Sequence, residues 1–262
     1  MIRAFRSEWL KLLHPATLLG GAGAMVAFAV LTVVLTLRRI GDATAGGPGE
    51  GLTAAQLATS DGFGRLLGNS ATFLGIVALA IFAIGVASEY ANGTLRNLLV
   101  RQPARLRLLA GKLLATASFI VLAVALAFGA ALLVAVLQAP GSNVDTAVWF
   151  SGAGLWALLA AAGNLALSTL AWGALGATLA VALRSTATAI TIGMAYVLVV
   201  ENLLLVVWPD GARWLPGQLI GVVAHGGTAA VSYLSGLALV GLYALAALVL
   251  AGALFQRRDV AI

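Results

Sequence analysis

The residues of this sequence that could carry out chemistry are few and widely separated. The chain has no cysteine, which excludes disulfides, thiolate metal sites and cysteine nucleophiles. Its two histidines, His14 and His225, are too few and too far apart in sequence to suggest a metal cluster. No nucleophile with an adjacent base and no facing carboxylates can be recognised. The sequence therefore predicts no catalytic residue, no metal ion and no cofactor bound by this chain.

Positive charge is concentrated in one segment, residues 88–112, which lies between two long apolar runs. Charged residues make up only 9% of the chain. This segment nevertheless contains one acid, Glu89, and five basic residues: Arg96, Arg101, Arg105, Arg107 and Lys112. Such charge suits phosphate groups of lipids or the carboxylates of a protein partner.

The same segment has the pattern of a short amphipathic helix. Asn92, Gly93 and Thr94 could cap it, Pro103 would end it, and three leucines recur at the spacing of one helical face: Leu95, Leu98 and Leu99. An ordinary cytoplasmic loop would be enough to explain the positive charge of this segment. A loop between antiparallel helices needs only about two to eight residues, however, so the length of this one favours a docking element.

Three polar residues inside apolar runs are candidates for a transport pathway. Glu201 would lie about 10 Å inside the end of the fifth run, where a carboxyl group is costly. It could contact a transported cation or form a gate, or it could be structural and pair with Asn202 or a neighbouring helix. Asn164 in the fourth run could line a path, although such amides more often join helices.

The elements that hold these residues are those of a membrane protein. Hydrophobic residues make up 61% of the sequence, which excludes a soluble domain. The net charge of +6 does not indicate nucleic acid, because the basic residues lie at the ends of apolar runs. The predicted fold is all-α and polytopic, a single transmembrane domain over residues 1–262. Each of six runs is long enough for a hydrocarbon core of about 30 Å: residues 16–37, 71–87, 113–137, 155–183, 187–208 and 234–255.

Two further elements are predicted beside the six spans. Residues 1–15 form an amphipathic helix at the membrane surface, with Phe5 and Trp9 on its apolar face and Lys11 towards the other. A cleaved signal peptide is disfavoured, because the apolar run that follows is too long. Residues 209–232 are too apolar for a free loop and predict a re-entrant or interfacial hairpin before the sixth span.

The basic residues also predict the orientation of the chain. Both termini are placed in the cytoplasm, because eleven of the 15 basic residues then lie inside. The four left outside are Arg38, Arg39, Arg65 and Arg213. The basic segment 88–112 is cytoplasmic in this orientation.

One motif of the basic segment consists of Glu89-Tyr90, Gly93-Thr94, Arg96, Leu98, Pro103, Arg105 and Lys112. This motif resembles the loop after the second membrane helix in permease subunits of type-2 ABC exporters. The resemblance implies that residues 92–101 form the coupling helix, which docks on a separate ATPase subunit. The implied docking residues are Glu89, Thr94, Leu95, Arg96, Leu98, Leu99, Arg101 and Arg105. Residues 1–15 would then be the elbow helix of that family.

The resemblance implies a permease for ATP-driven export of a hydrophobic or amphipathic compound, such as a drug, an antibiotic, an antimicrobial peptide or a lipid-like molecule. Its partners would be two ABC ATPase subunits and a second permease copy, in the plasma membrane. The chain lacks a phosphate-binding loop, since Leu113 follows its only Gly-Lys pair. It is therefore not an enzyme by itself, and the partner ATPase would bind ATP and Mg.

Two other classes of function are compatible with the sequence. A secondary transporter or channel would normally carry more charge within the membrane than one glutamate. A non-transporting membrane scaffold subunit would need no such charge at all.

Overall fold

A computed structural model of the chain describes residues 2–40, 52–91, 93 and 104–257, without the side chains of Arg3 and Ala91. The described residues form helices and turns and contain no strand. The helices in chain order are α1 (Ile2–Leu12), α2 (Pro15–Arg38), α3 (Ala54–Leu57), α4 (Gly62–Gly68), α5 (Ala71–Ala91), α6 (Arg105–Gln138), α7 (Gly152–Leu183), α8 (Thr186–Val207), α9 (Pro216–Ala224) and α10 (Tyr233–Arg257).

Six of these helices are long and apolar enough to cross a membrane: α2, α5, α6, α7, α8 and α10. This result confirms the all-α class of the described residues and the predicted number of helices that are long enough to cross a membrane. Helical structure satisfies the backbone hydrogen bonds of all but the terminal turns within the segment, which a hydrocarbon environment requires.

The basic segment differs from the loop predicted over residues 88–112. Helix α5 continues to Ala91, and α6 already begins at Arg105. Lys112 therefore lies in a helix and not in a loop. The helix starts early because Leu108 and Leu109 are buried and extend its packed face, although charged residues interrupt the apolar run.

The helices pack most extensively where small residues allow close approach. Helix α5 lies along α7, and a Cβ built on Gly176 of α7 would overlap the backbone of Leu79 in α5. Helix α2 packs on α6, α10 packs on α7, and α1 packs on the beginning of α6. The bundle therefore holds α1 beside the end of α5 and the beginning of α6.

Two connections between membrane helices contain short α-helices, and the connection between α6 and α7 contains two short 3-10 helices. Helices α3 and α4 lie between α2 and α5, where the Trp149 indole Nε1 donates a hydrogen bond to the Leu57 carbonyl oxygen at 2.8 Å. Helix α9 precedes α10, and its Leu219 and Val223 are fully buried against neighbouring helices. This connection is the segment predicted to form a hairpin before the sixth span.

Candidate functional site

Helix α1 buries a face that includes an acid. Ala4, Glu8 and Leu12 recur at every fourth residue and are buried, which places them on one side of the helix. Phe5 and Trp9 are only partly buried and stack on each other, with ring centroids 5.8 Å apart. The carboxylate of Glu8 therefore points into the bundle and needs a partner there.

The partners of Glu8 form a cluster of four charges, which we call the N-terminal charge cluster: Glu8, Lys11, Glu89 and Lys112. The Lys112 ammonium donates to Glu8 Oε2 at 2.8 Å and to Glu89 Oε1 at 2.7 Å. The Lys11 ammonium donates to the same two oxygens at 3.1 and 3.2 Å. Each lysine thus bridges the two acids, and the formal charges of the cluster cancel.

The four side chains differ in burial. Glu8, Glu89 and Lys112 are buried, whereas the Lys11 side chain is 55% exposed. Partial burial alone would lower the pKa of Lys11, but the charges and hydrogen bonds of Glu8 and Glu89 outweigh that effect and raise the pKa. Oε2 of Glu89 is buried and has no hydrogen-bond partner within the described part of the chain.

The cluster joins three helices that are distant in sequence. Glu8 and Lys11 belong to α1, Glu89 lies near the end of α5, and Lys112 lies near the beginning of α6. Both helices that flank the basic segment are therefore tied to α1. The chain has only two lysines, and both belong to this cluster.

Most residues predicted to dock on an ATPase lie outside the described residues: Thr94, Leu95, Arg96, Leu98, Leu99 and Arg101. Of the two others, Glu89 is in the charge cluster. Arg105 donates from Nη1 to the Gln256 carbonyl oxygen at 3.2 Å, which links the beginning of α6 to the end of α10.

The ring of Tyr90, at the same end of the bundle, contacts two further parts of the structure. The Arg184 guanidinium lies 5.8 Å from the centre of the Tyr90 ring. The ring of Phe255 meets Tyr90 edge-on, with centroids 6.4 Å apart. The end of α5 therefore contacts α10 and the turn between α7 and α8, close to the basic segment.

A cleft of about 530 Å³ begins at the charge cluster and runs between α2 and α5. Glu8 and Lys11 lie at its polar end, together with Thr17 and Ser88. Its remaining wall is apolar and includes Ile190 and Met194 of α8. The cleft is therefore amphipathic, with ionised groups at one end only.

Two of the three predicted pathway residues, Glu201 and Asn164, join separate helices, and no hydrogen bond links the three residues to one another. Glu201 is fully buried, and its Oε1 accepts a hydrogen bond from the Gly217 backbone N–H at 2.8 Å, at the beginning of α9. Asn164 in α7 accepts a hydrogen bond from the Tyr233 hydroxyl of α10 at 2.7 Å. Asn202 donates within its own helix, to the carbonyl oxygens of Val197 and Leu198.

Sequence reasoning did not foresee the role of Glu8 or the pairing of Lys112. Lys112 and Glu8 are 104 residues apart in the chain, so no local pattern joins them. Within the described ranges, no group of three His, Cys, Asp or Glu side chains could hold a metal ion.

The six long apolar helices, and the absence of strands among the described residues, give the chain the architecture of a polytopic α-helical membrane protein. More particularly, it belongs to the family described as "protein of unknown function (DUF2705)", which matches residues 63–261. The matched part includes Glu89 and Lys112 and begins after Glu8 and Lys11. A comparison with curated proteins gives no match.

Proposed function

We propose that the chain is the membrane-spanning permease subunit of a type-2 ABC exporter. It carries a hydrophobic or amphipathic compound such as a drug, an antibiotic, an antimicrobial peptide or a lipid-like molecule, and it can thereby confer multidrug or antibiotic resistance. The observation that supports this function is the charge cluster, because it ties α1 to both helices that flank the basic segment. A displacement of that segment would move α1, α5 and α6 together.

The partner that would displace the segment is a separate ATPase. Residues 92–101 form the coupling helix, with Leu95, Leu98 and Leu99 in a groove of the ATPase and Arg96 and Arg101 on its acidic residues. Two ATPase copies bind ATP and Mg and close on each other. Two permease copies, or this chain and a sister chain, change from inward to outward access when the coupling helices move.

The proposed placement in the membrane follows from the same function. The protein lies in the plasma membrane, both termini and the coupling helix are cytoplasmic, and α1 is the elbow helix at the inner surface. Helix α9 belongs to a re-entrant hairpin at the outer side. The burial of Leu219 and Val223 supports this hairpin, because backbone at membrane depth must be covered by protein.

The contacts of Glu201 favour this function over a secondary transporter. A transporter driven by ions needs ionisable groups along its path. Glu201 instead accepts a backbone hydrogen bond from Gly217 and is fully buried. Its Oε1 is used in the contact with α9, whereas its Oε2 is buried and has no hydrogen-bond partner among the described residues.

Co-purification of an ATPase with the tagged full-length chain tests this function. The ATPase subunit should be recovered with the wild type and lost with Leu98→Asp, which places a charge on the docking face. Arg101→Glu should likewise weaken recovery and ATPase stimulation. Arg213→Glu is the matched control, because it reverses a charge on the side that we place outside.

Two outcomes would contradict the proposal. Recovery of no ATPase from the wild type, under conditions that preserve other ABC complexes of the same cells, would favour a secondary transporter or a scaffold. Equal recovery with Leu98→Asp, Arg101→Glu and the wild type would show that residues 92–101 are not the docking helix.

A further inference from the structure

The amphipathic cleft has the depth of one leaflet of a bilayer. Four residues at helical spacing line it along α5: Ile76, Ala80, Ile84 and Ser88. At 1.5 Å per residue they span about 18 Å, which is close to half of a hydrocarbon core of about 30 Å. The cleft volume of about 530 Å³ lies within the range of about 300–1,000 Å³ found for small-molecule sites. These dimensions suit an acyl chain that lies parallel to α5.

The polar end of the cleft offers both an acceptor and a donor. Both lysines contact Oε2 of Glu8, which leaves Oε1 available. This second oxygen faces α5, since a Cβ built on Gly85 would lie 3.9 Å from it. Lys11 is 55% exposed and uses two of the three N–H bonds of its ammonium on Glu8 and Glu89. One carboxylate oxygen and one N–H are therefore free for a ligand.

The wall of the cleft leaves empty space beside Glu8 and Lys11. A Cβ built on Gly20 of α2 would meet no atom within 4 Å. Ile84, on the opposite wall, is 49% exposed. An acyl chain that fills this space would cover Ile84, and the polar group at the end of that acyl chain would lie beside Glu8 and Lys11.

We propose that the cleft binds one phospholipid whose head group carries a primary amine. One acyl chain lies between α2 and α5, the head-group ammonium donates to Oε1 of Glu8, and a phosphate oxygen accepts from the Lys11 ammonium. Opposite charges at one end of the cleft match a zwitterionic head group. A choline head group has no N–H to donate, and a glycerol head group has no ammonium.

This lipid is a resident ligand of the chain and not its exported compound. Binding requires only this chain, through α1, α2, α5 and α8, so the proposal goes beyond the exporter function and does not depend on an ATPase. A failed search for the ATPase would leave it intact, and a failed lipid test would leave the exporter proposal intact.

Native mass spectrometry of the full chain in mild detergent tests the proposal. The protein is incubated separately with phosphatidylethanolamine, phosphatidylcholine and phosphatidylglycerol that carry identical acyl chains. Retention of phosphatidylethanolamine should exceed that of the other two by about tenfold, which corresponds to one hydrogen bond to a charged group. Lys11→Gln should reduce the retention of all three lipids, because it removes the positive charge that faces the phosphate they share.

Two glycine variants locate the lipid. Gly20→Leu fills the cleft and should abolish the retention of phosphatidylethanolamine. Gly129→Leu is the matched control: it adds the same side chain on α6, where a Cβ also meets no atom within 4 Å, and should retain lipid like the wild type.

Three outcomes would overturn the proposal. Equal retention of phosphatidylcholine would show that the amine is not recognised, and preferred retention of phosphatidylglycerol would show that only the phosphate is. Unchanged retention by Gly20→Leu would place the lipid elsewhere. A lipid-free dimer that Gly20→Leu dissociates would show that a second copy of the chain fills the cleft.

Discussion

The chain stabilises its buried acids in two different ways, in two regions of the bundle. At the end where α5 stops and α6 begins, Glu8 and Glu89 are neutralised by Lys11 and Lys112. Towards the other end, Glu201 accepts a hydrogen bond from the backbone N–H of Gly217. One region uses opposite charges, and the other uses the beginning of a helix, where N–H groups have no partner within the helix.

This difference teaches what each region can tolerate. The charge cluster depends on balanced ionic charges, because a buried charge without its partner is costly. The contact of Glu201 depends on an acceptor oxygen at the beginning of α9, which a neutral amide also supplies. Loss of charge should therefore damage the first region and spare the second.

The largest effect is expected from Lys112→Met, which keeps the length of the side chain and removes its charge. Glu8 and Glu89 would then share Lys11 alone, and breaking a buried pair costs about 3–5 kcal/mol of unfolding free energy. Lys11→Met is the control and should cost less, because Lys11 is half exposed. Unfolding in detergent, followed by tryptophan fluorescence, measures both. Equal losses of unfolding free energy in the two variants would mean that the burial of a lysine does not determine how much it stabilises the folded state.

Replacing a glutamate by glutamine in each region tests directly whether the two regions differ in their need for charge. Glu89→Gln leaves Lys112 with one acid fewer and should cost about 3 kcal/mol. Glu201→Gln retains the acceptor for the Gly217 N–H and should cost less than about 1 kcal/mol, the ordinary worth of one hydrogen bond. Unfolding of the two variants in parallel checks the difference. A larger loss in Glu201→Gln than in Glu89→Gln would show that the charge of Glu201 is required.

Hydropathy predicted the number of membrane helices because that signal is local. A run of about 20 apolar residues identifies a span without any knowledge of its neighbours. The early beginning of α6 was missed because Arg105, Arg107 and Lys112 interrupt its apolar run. The buried leucines between them, Leu108 and Leu109, show that packing outweighs those charges once α1 and α5 lie alongside.

The candidate site was less predictable because its contacts are not local. Glu89 and Lys112 were both noted in the basic segment, but their pairing across 23 residues depends on how α5 and α6 pack. Pairing of Glu201 with a neighbouring helix was one of the predicted alternatives, but the partner residue could not be identified, since Gly217 lies 16 residues further along the chain.

A smaller effect is expected from glycine substitutions in α9. A Cβ on Gly217 would overlap the Glu201 carboxylate, so Gly217→Ala displaces the acceptor and leaves a buried N–H unpaired. This should cost about 1–3 kcal/mol of unfolding free energy. Gly221→Ala is the matched control, because a Cβ there meets no atom within 4 Å, and it should stabilise the helix by up to about 1 kcal/mol. Losses of equal size would show that Gly217 is not specifically required.

The smallest effect is a loss of stability at alkaline pH, and it distinguishes Lys11 from the other residues of the charge cluster. Glu8 and Glu89 raise the pKa of Lys11 above its ordinary value of 10.5. Because the folded state holds this proton more tightly than the unfolded state, the resulting stabilisation is complete below the unfolded pKa. This stabilisation is lost as the pH rises through the folded pKa.

The variant Lys11→Arg tests this expectation, because arginine keeps its charge over this pH range. The melting temperature of the variant should fall less than that of the wild type between about pH 9 and 12. Identical melting curves for the two proteins would assign the alkaline loss to other groups, and Lys11 would then contribute no more than an exposed surface charge.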